Sequence, residues 1–290
     1  MRPLSERGSA VGAQDACERS FTPVRGARIE TLAWGPRNAP GVILFNGFGA
    51  SADWWCFTAP LLAGDRRVVA FSYSGTGRSG WREHYDIDLL KDEALACGMA
   101  AGAFDAGPAA VVAHSFGATP GARLAAEQGE RIAAFVVLDR PVEQWSRARI
   151  EVNGPRPRRR FASEREAMEQ FSPRPFPRRA APDVIAHVAR AGVENIGSDA
   201  DPYWTWRHDP DLRLKLVERQ VSIAPQLAAM ACPAAFIRGG DSALFPEDEA
   251  VRMREAGMRV LSIPEAGHHL MLDRPPATAV AIEACLSPVR

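Results

Sequence analysis

Short, uninterrupted apolar runs recur along the chain, and they constrain its fold more than any other feature. The run Gly41–Phe45 stops at Asn46-Gly47, and comparable runs lie at 67–71, 109–113 and 132–138. Continuous apolar runs of this length are typical of strands buried on both faces of a parallel sheet. Helical patterns separate the runs, which predicts right-handed crossovers and a doubly wound, mostly parallel α/β sheet.

Residues 141–225 interrupt this alternation. The segment contains no apolar β run. Many prolines lie in it between helical stretches, among them Pro155, Pro157, Pro173, Pro175, Pro177 and Pro182. Proline ends helices and disfavours central strands, so this segment is expected to be an insertion outside the sheet. We predict an α/β core from 21–140 and 226–290, a mostly helical cap at 141–225, and a flexible leader at 1–20.

Charge and hydropathy exclude several classes of protein. The 35 basic and 35 acidic residues give no net charge, and so no general attraction to nucleic acid or anionic membranes. No stretch approaches the roughly 18 apolar residues of a membrane span, and the first residues lack the apolar segment of a signal peptide. The five cysteines are dispersed, which fits reduced thiols. We expect a cytoplasmic protein with no membrane span and no nucleic-acid partner.

The segment Ala113-His114-Ser115-Phe116-Gly117 is the central chemical motif. It follows an apolar run directly and precedes an alanine-rich helix. A nucleophile placed on such a sharp strand-to-helix turn needs small residues two positions before and after it, as Ala113 and Gly117 are. The alternative is a serine that only caps the helix. We expect Ser115 to be a nucleophile.

A serine hydroxyl needs a base, and the sequence Pro264–His269 offers two histidines at the same edge of the sheet. Either His268 or His269 can take the role. We expect His268, directly after Gly267, to be the base, while His269 begins an apolar stretch that packs toward the core. His114 adjoins the nucleophile, and adjacent residues on such a turn point apart.

The base in turn needs a carboxylate on its other ring nitrogen. Asp241 follows Arg238-Gly239-Gly240 at the end of the penultimate predicted strand. Asp139, at the end of the strand 132–138, is a rival at the same edge. We expect Asp241 to be the acid.

Two backbone N–H groups are needed to stabilise an oxyanion. The amide of Phe116, directly after the nucleophile, is one candidate. The amide of Phe48 is the other, because glycines flank it in the Asn46–Gly49 loop and allow that backbone to turn inward.

These motifs occur in order, and together they resemble the α/β-hydrolase family from about residue 24 onward: Asn46-Gly47-Phe48-Gly49, Gly75-Thr76-Gly77-Arg78-Ser79, the Ser115 turn, Asp241 and Gly267-His268. The resemblance implies an eight-stranded, mostly parallel sheet flanked by helices, with the cap inserted after strand 6. It also implies a Ser-Asp-His chain order. Two positions depart from the family pattern, since Asn46 stands where histidine is frequent and Ser72 where aspartate is frequent.

Aromatic side chains in the cap and near the Asn46 loop predict a pocket for a small-molecule substrate with a hydrophobic or aromatic acyl group. The candidate lining residues are Asn46, Trp54, Trp145, Trp204 and His269. Ordinary packing of the cap is the alternative reading of each aromatic residue. The arginine-rich stretch from Arg147 to Arg179 either attracts an anionic group or forms a solvated surface.

The expected activity is hydrolysis of a carboxylic ester or a related lactone, thioester or C–C bond, through an acyl-enzyme on Ser115. The alternatives are a cofactor-free perhydrolase or haloperoxidase activity, or a ligand-binding protein that keeps the fold without hydrolysis. Gly75-Thr76-Gly77 lacks the spacing of a dinucleotide or phosphate-binding fingerprint, so no cofactor is expected. His268-His269 lacks the helical spacing of a zinc motif, so no metal is expected either.

Overall fold

The computed structural model describes residues 17–143, 154–177, 179–198, 201–217 and 222–287. Over these residues it contains the predicted α/β fold, an eight-stranded and mostly parallel sheet flanked by helices, and a separate two-stranded hairpin. The strands are β1 (Glu18–Val24), β2 (Ala27–Trp34), β3 (Gly41–Phe45), β4 (Arg67–Phe71), β5 (Ala109–His114), β6 (Ile132–Leu138), β7 (Val193–Ser198), β8 (Asp201–Trp206), β9 (Ala234–Gly239) and β10 (Arg259–Ile263).

The α-helices within the described residues cover the sheet and build the cap. They are α1 (Ala59–Leu62), α2 (Ile87–Ala100), α3 (Ala118–Gln128), α4 (Glu164–Glu169), α5 (Pro182–Ala191), α6 (Leu212–Lys215), α7 (Ala224–Ala229), α8 (Glu247–Glu255), α9 (Leu270–Asp273) and α10 (Pro275–Leu286). Local sequence sets several of their starts. The Asp86 carboxylate accepts the Leu89 amide at 2.7 Å and so caps α2. Among the described residues, no helix has the length and apolar character that a membrane crossing requires.

The order of strands in the large sheet is β1-β2-β4-β3-β5-β6-β9-β10. β2 pairs antiparallel with both β1 and β4, and the remaining pairs are parallel. β3, β4 and β5 are buried along their whole length, because helices cover both faces. The parallel strands therefore bring the loops after β3, β5, β6, β9 and β10 to one edge of the sheet.

Two sequence-based boundaries differ from the structure. β1 begins at Glu18, so residues 18–20 belong to the sheet rather than to a leader, and residues 1–16 lie outside the described residues. The insertion does follow the sixth strand, but besides helices it contains the antiparallel hairpin β7–β8. The hairpin pairs Ile196 with Tyr203 and Asn195 with Trp204, and such β-branched and aromatic residues favour strands. Apolar and polar residues alternate in the hairpin, so it lacks the continuous apolar run that is typical of the buried parallel strands.

Leu44 tests the contribution of the central strand to stability. Its side chain is completely buried in β3, so Leu44→Ala leaves a cavity and is expected to lower the free energy of unfolding by about 2–5 kcal/mol. The measurement is urea denaturation followed by circular dichroism. Val280→Ala, at a half-exposed position of α10, is the control and is expected to change stability by no more than about 0.5 kcal/mol. Equal losses in the two variants would contradict the burial argument.

Candidate active site

Ser115 occupies a strained turn between β5 and the 3-10 helix Ser115–Gly117, which continues into α3. Its φ of +52° lies in the left-handed region that residues other than glycine rarely adopt. Gly117 permits the turn to lie against the loop after β3, because a Cβ there would come within 2.4 Å of the Asn46 carbonyl oxygen. Packing around the turn thus holds the serine in a conformation that the chain alone disfavours.

His268 lies between Ser115 and a carboxylate. Its Nε2 is 2.9 Å from Ser115 Oγ, and its Nδ1 is 2.6 Å from Asp139 Oδ2. Because an ionised carboxylate only accepts hydrogen bonds, Nδ1 carries the proton and Nε2 presents its lone pair to the serine hydroxyl. The structure thus brings together Ser115 and His268, as the sequence predicts, in the arrangement that proton abstraction requires.

Asp139 is the carboxylate that contacts His268. It directly follows β6, and its side chain is fully buried. Oδ1 accepts the Gly239 amide at 2.9 Å, and Oδ2 accepts the Ser242 hydroxyl at 2.6 Å in addition to His268. These donors, from the end of β9 and the loop after it, fix the carboxylate and compensate for its burial.

Asp241 does not lie against His268, which corrects the sequence-based expectation for the acid. Its side chain is about half exposed, at 52%, and pairs with Arg179 at 3.4 Å. Asp241 stands two residues beyond the end of β9 and turns toward solvent. Asp139 stands at the very end of the neighbouring strand β6. Both aspartates satisfy the Ser-Asp-His order along the chain, so chain order cannot distinguish them.

Two further imidazoles, His114 and His269, surround His268. The Nε2 of His114 lies 2.8 Å from the His268 carbonyl oxygen and donates to it. Burial, followed by the proximity of His268 and His269, lowers the pKa of His114 well below its usual value. Burial is also the main cause that lowers the pKa of His269 to about 3, with His268 contributing. Both rings are therefore neutral near pH 7 and add no charge beside the base.

Phe48 and Phe116, the expected oxyanion donors, lie next to each other. Their rings pack edge to face with centroids 5.5 Å apart. Gly47 lets the loop after β3 approach the turn closely, since a Cβ there would lie 2.8 Å from His114 Nδ1. The Phe116 amide belongs to the first turn of a helix and has no acceptor within that helix. Among the described residues, the Phe48 amide has no hydrogen-bond acceptor either.

Asn46 supports this loop and does not line the cavity, contrary to expectation. It is buried, its Oδ1 accepts the Trp55 indole N–H at 2.8 Å, and its Nδ2 donates to the Phe71 carbonyl. The Asn46 side chain thus links the loop after β3 to Trp55 and to the end of β4. Asparagine suits this position because it offers a donor and an acceptor at once.

Glu30 is a buried carboxylate that sequence reasoning missed, and it compensates for the serine at position 72. Its Oε2 accepts the Ser72 hydroxyl and the Arg78 amide, each at 2.9 Å. Ser72 Oγ in turn accepts the Ala52 amide at 3.0 Å. An acidic group supplied by β2 therefore organises the glycine-rich loop after β4, which keeps the neighbouring Asn46 loop in place.

A cavity of about 660 Å³ opens above Ser115. Trp54 and His269 line it as expected, with their rings 5.0 Å apart. Trp204 does not line it, since its backbone pairs with Phe161 and its side chain packs within the cap. Trp206, at the end of β8, lines the cavity instead. Trp145 lies outside the described residues.

The remaining cavity wall combines apolar side chains with a charged rim. Phe171, Pro173, Leu212 and Leu214 supply apolar surface. The rim residues include three arginines and two aspartates: Arg156, Arg174, Arg213, Asp209 and Asp211. Asp209 is neutralised by Lys215 at 2.7 Å. The cavity therefore presents apolar surface beside charged groups.

Comparison with known proteins agrees with this fold. A sequence model described as "Alpha/beta hydrolase family" matches residues 42–282, and the chain belongs to that family. The chain is 24% identical over 260 residues to the dihydrolipoyllysine-residue acetyltransferase component of an acetoin cleaving system from Pseudomonas putida. That alignment covers 86% of this chain but 64% of the relative, so the chain spans less than two thirds of that protein.

Two solved structures share the fold over nearly their whole length. A thioesterase domain from the curacin biosynthetic pathway superposes with a TM-score of 0.75 at 18% identity, covering 92% of this chain and 99% of the domain. E-2-(acetamidomethylene)succinate hydrolase superposes with a TM-score of 0.74 at 18% identity, covering 93% and 99%. At these identities the likeness shows the fold alone.

Asp139→Asn and Asp241→Asn form a matched pair that tests which aspartate acts on His268. Asparagine at 139 can donate to Nδ1 and so favours the wrong tautomer, in which Nε2 cannot accept the serine proton. We expect the rate of Ser115 labelling by a fluorophosphonate, followed by intact mass, to fall roughly 10³- to 10⁴-fold in Asp139→Asn. Asp241→Asn is expected to label within about twofold of wild type, since its side chain faces solvent. A larger loss of labelling rate in Asp241→Asn than in Asp139→Asn would instead show that Asp241 is the acid.

Proposed function

We propose that this chain is a serine hydrolase that cleaves a carboxylic ester or a related acyl compound, such as a thioester or lactone. The observation that carries the proposal is the continuous set of contacts from Ser115 through His268 to the buried Asp139. The names of the thioesterase and hydrolase with the same fold are consistent with acyl chemistry. A fold alone does not determine an activity, so the chemistry follows from the residues of the site.

Acylation begins with attack of Ser115 Oγ on the carbonyl carbon of the substrate. The serine proton passes to His268 Nε2, and Asp139 stabilises the resulting imidazolium through Nδ1. The carbonyl oxygen becomes an oxyanion, which accepts hydrogen bonds from the Phe48 and Phe116 amides. The tetrahedral intermediate then collapses, and His268 returns the proton to the leaving group.

Deacylation repeats these steps with water. His268 Nε2 takes a proton from the water molecule as its oxygen attacks the acyl carbon, and the same two amides stabilise the second oxyanion. Collapse releases the carboxylic acid and returns the proton to Ser115 Oγ. His268 handles the protons, because its Nε2 is the ring nitrogen that lies against Ser115 Oγ.

Turnover of simple esters tests the proposal. Wild-type protein is expected to hydrolyse aromatic and medium-chain p-nitrophenyl esters, and Ser115→Ala is expected to lose at least about 10³-fold in kcat/KM because no acyl-enzyme forms. Ser262→Ala changes an exposed serine on β10 and serves as the control, with kcat/KM expected to stay within about twofold. Folded wild-type protein that binds esters without turning them over would favour a ligand-binding protein instead.

Phe171 and Phe176 form a second matched pair, which tests the cavity as the acyl pocket. Phe171 lines the cavity, whereas Phe176 is half exposed and is not among the lining residues of the described chain. Phe171→Ala is expected to lower kcat/KM for an aromatic acyl ester about tenfold or more relative to the acetyl ester, through lost apolar contact. Phe176→Ala is expected to leave this preference unchanged. Equal effects in both variants would place the acyl group elsewhere.

A further inference from the structure

His114, His268 and His269 form a compact cluster whose size the hydrolytic mechanism does not explain. One ring nitrogen from each lies within 4.8 Å of those of the other two. The ring centroids are 4.7 to 5.5 Å apart. Proton transfer at Ser115 uses His268 alone, so two buried imidazoles remain without a role.

The nitrogens of the two additional imidazoles are poorly satisfied. Since His114 Nε2 donates to the His268 carbonyl, its Nδ1 carries a lone pair, and this nitrogen has no hydrogen-bond partner among the described residues. Neither ring nitrogen of His269 forms a well-aligned hydrogen bond there, although the Pro175 backbone lies near it. Both side chains are more than nine-tenths buried. Buried polar groups in folded proteins normally have a partner, so these nitrogens point to a missing ligand.

We propose that His114, His268 and His269 together bind one divalent transition-metal ion of the zinc class. Imidazole nitrogen is a preferred ligand for such ions, and three protein ligands with a fourth exchangeable position form a familiar zinc geometry. With metal–nitrogen distances of about 2.0–2.1 Å, tetrahedral ligands lie roughly 3.4 Å apart. The ligand atoms lie within 4.8 Å of one another, so rotation of the side chains must bring them closer when an ion binds.

The surroundings of His268 suit metal binding as well as catalysis. Asp139 holds Nδ1, which leaves Nε2 as the ligand atom and supplies the outer carboxylate that orients metal-bound histidines. Ser115 Oγ lies 2.9 Å from Nε2, on the side of the ring where an ion would bind, so the hydroxyl must move aside when the ion enters. The cavity is lined by all three histidines and therefore gives the ion a route from solvent.

Occupation of this site blocks hydrolysis, a consequence that rests on the proposed function. A metal ion on Nε2 occupies the lone pair that accepts the serine proton, so the bound form lacks its base. Hydrolysis of an ester is expected to fall in proportion to occupancy and to return when a chelator removes the ion. Binding itself involves no serine chemistry and is measured separately.

The experiment is calorimetric titration of metal-free wild type and Ser115→Ala with Zn²⁺. Both are expected to bind one ion with affinities within a few-fold of each other, because all three histidines are present. His269→Asn is expected to weaken binding at least tenfold, and His114→Asn, checked for folding by circular dichroism, is expected to do the same. His84→Asn, at an exposed histidine, is the control and is expected to bind like wild type.

Another group of ligand-type side chains, Asp53, Cys56 and His187, also comes together in the described chain, so Cys56→Ser is titrated in parallel. Absence of saturable binding in folded wild type, or an affinity lost in Cys56→Ser but unchanged in His269→Asn, would overturn the proposal. Zinc binding by Ser115→Ala, with a wild-type protein that hydrolyses no ester, would retain the metal site and reject the proposed hydrolase. Hydrolysis insensitive to zinc would reject the metal site and retain the hydrolase.

Discussion

The hydrogen bonds that join His268 to Ser115 and Asp139 link three separate elements of the fold. Ser115 follows β5, Asp139 follows β6, and His268 follows β10, so the contact exists only when the sheet is assembled in order. Burying a carboxylate is unfavourable unless donors surround it, and two of them come from Gly239 at the end of β9 and Ser242 in the loop after it. The loop after β9 thus helps to hold the buried Asp139 carboxylate in place.

The site also requires that separate backbone segments approach each other closely. Ser115 and Asp139 both have positive φ, at +52° and +50°, directly after their strands. Such left-handed residues turn the chain sharply and direct their side chains across the edge of the sheet. Gly47 and Gly117 allow the loop after β3 to lie against the serine turn. Asn46, Ser72 and Glu30 then lock this loop, which explains how the chain departs from the family pattern without losing the site.

Much of the fold and part of the site were predictable from sequence, because they depend on local patterns. Continuous apolar runs gave the parallel strands, and the small residues around Ser115 gave the turn. The acid was assigned to Asp241 instead of Asp139, because both follow strands at one edge and only side-chain burial separates them. Likewise, His114 and His268 are 154 residues apart, so the contacts of His114 with His268 and His269 depend on tertiary structure.

The central claim is that Asp139 and His268 act on Ser115 as one unit, and a double-mutant cycle tests it most directly. The measurement is kcat/KM on one ester for Asp139→Asn, His268→Ala and the double variant. Groups that act as a unit are strongly non-additive, so the double variant is expected to lose about as much as His268→Ala alone. Losses that add in free energy would show that Asp139 acts independently of His268, and would contradict this account.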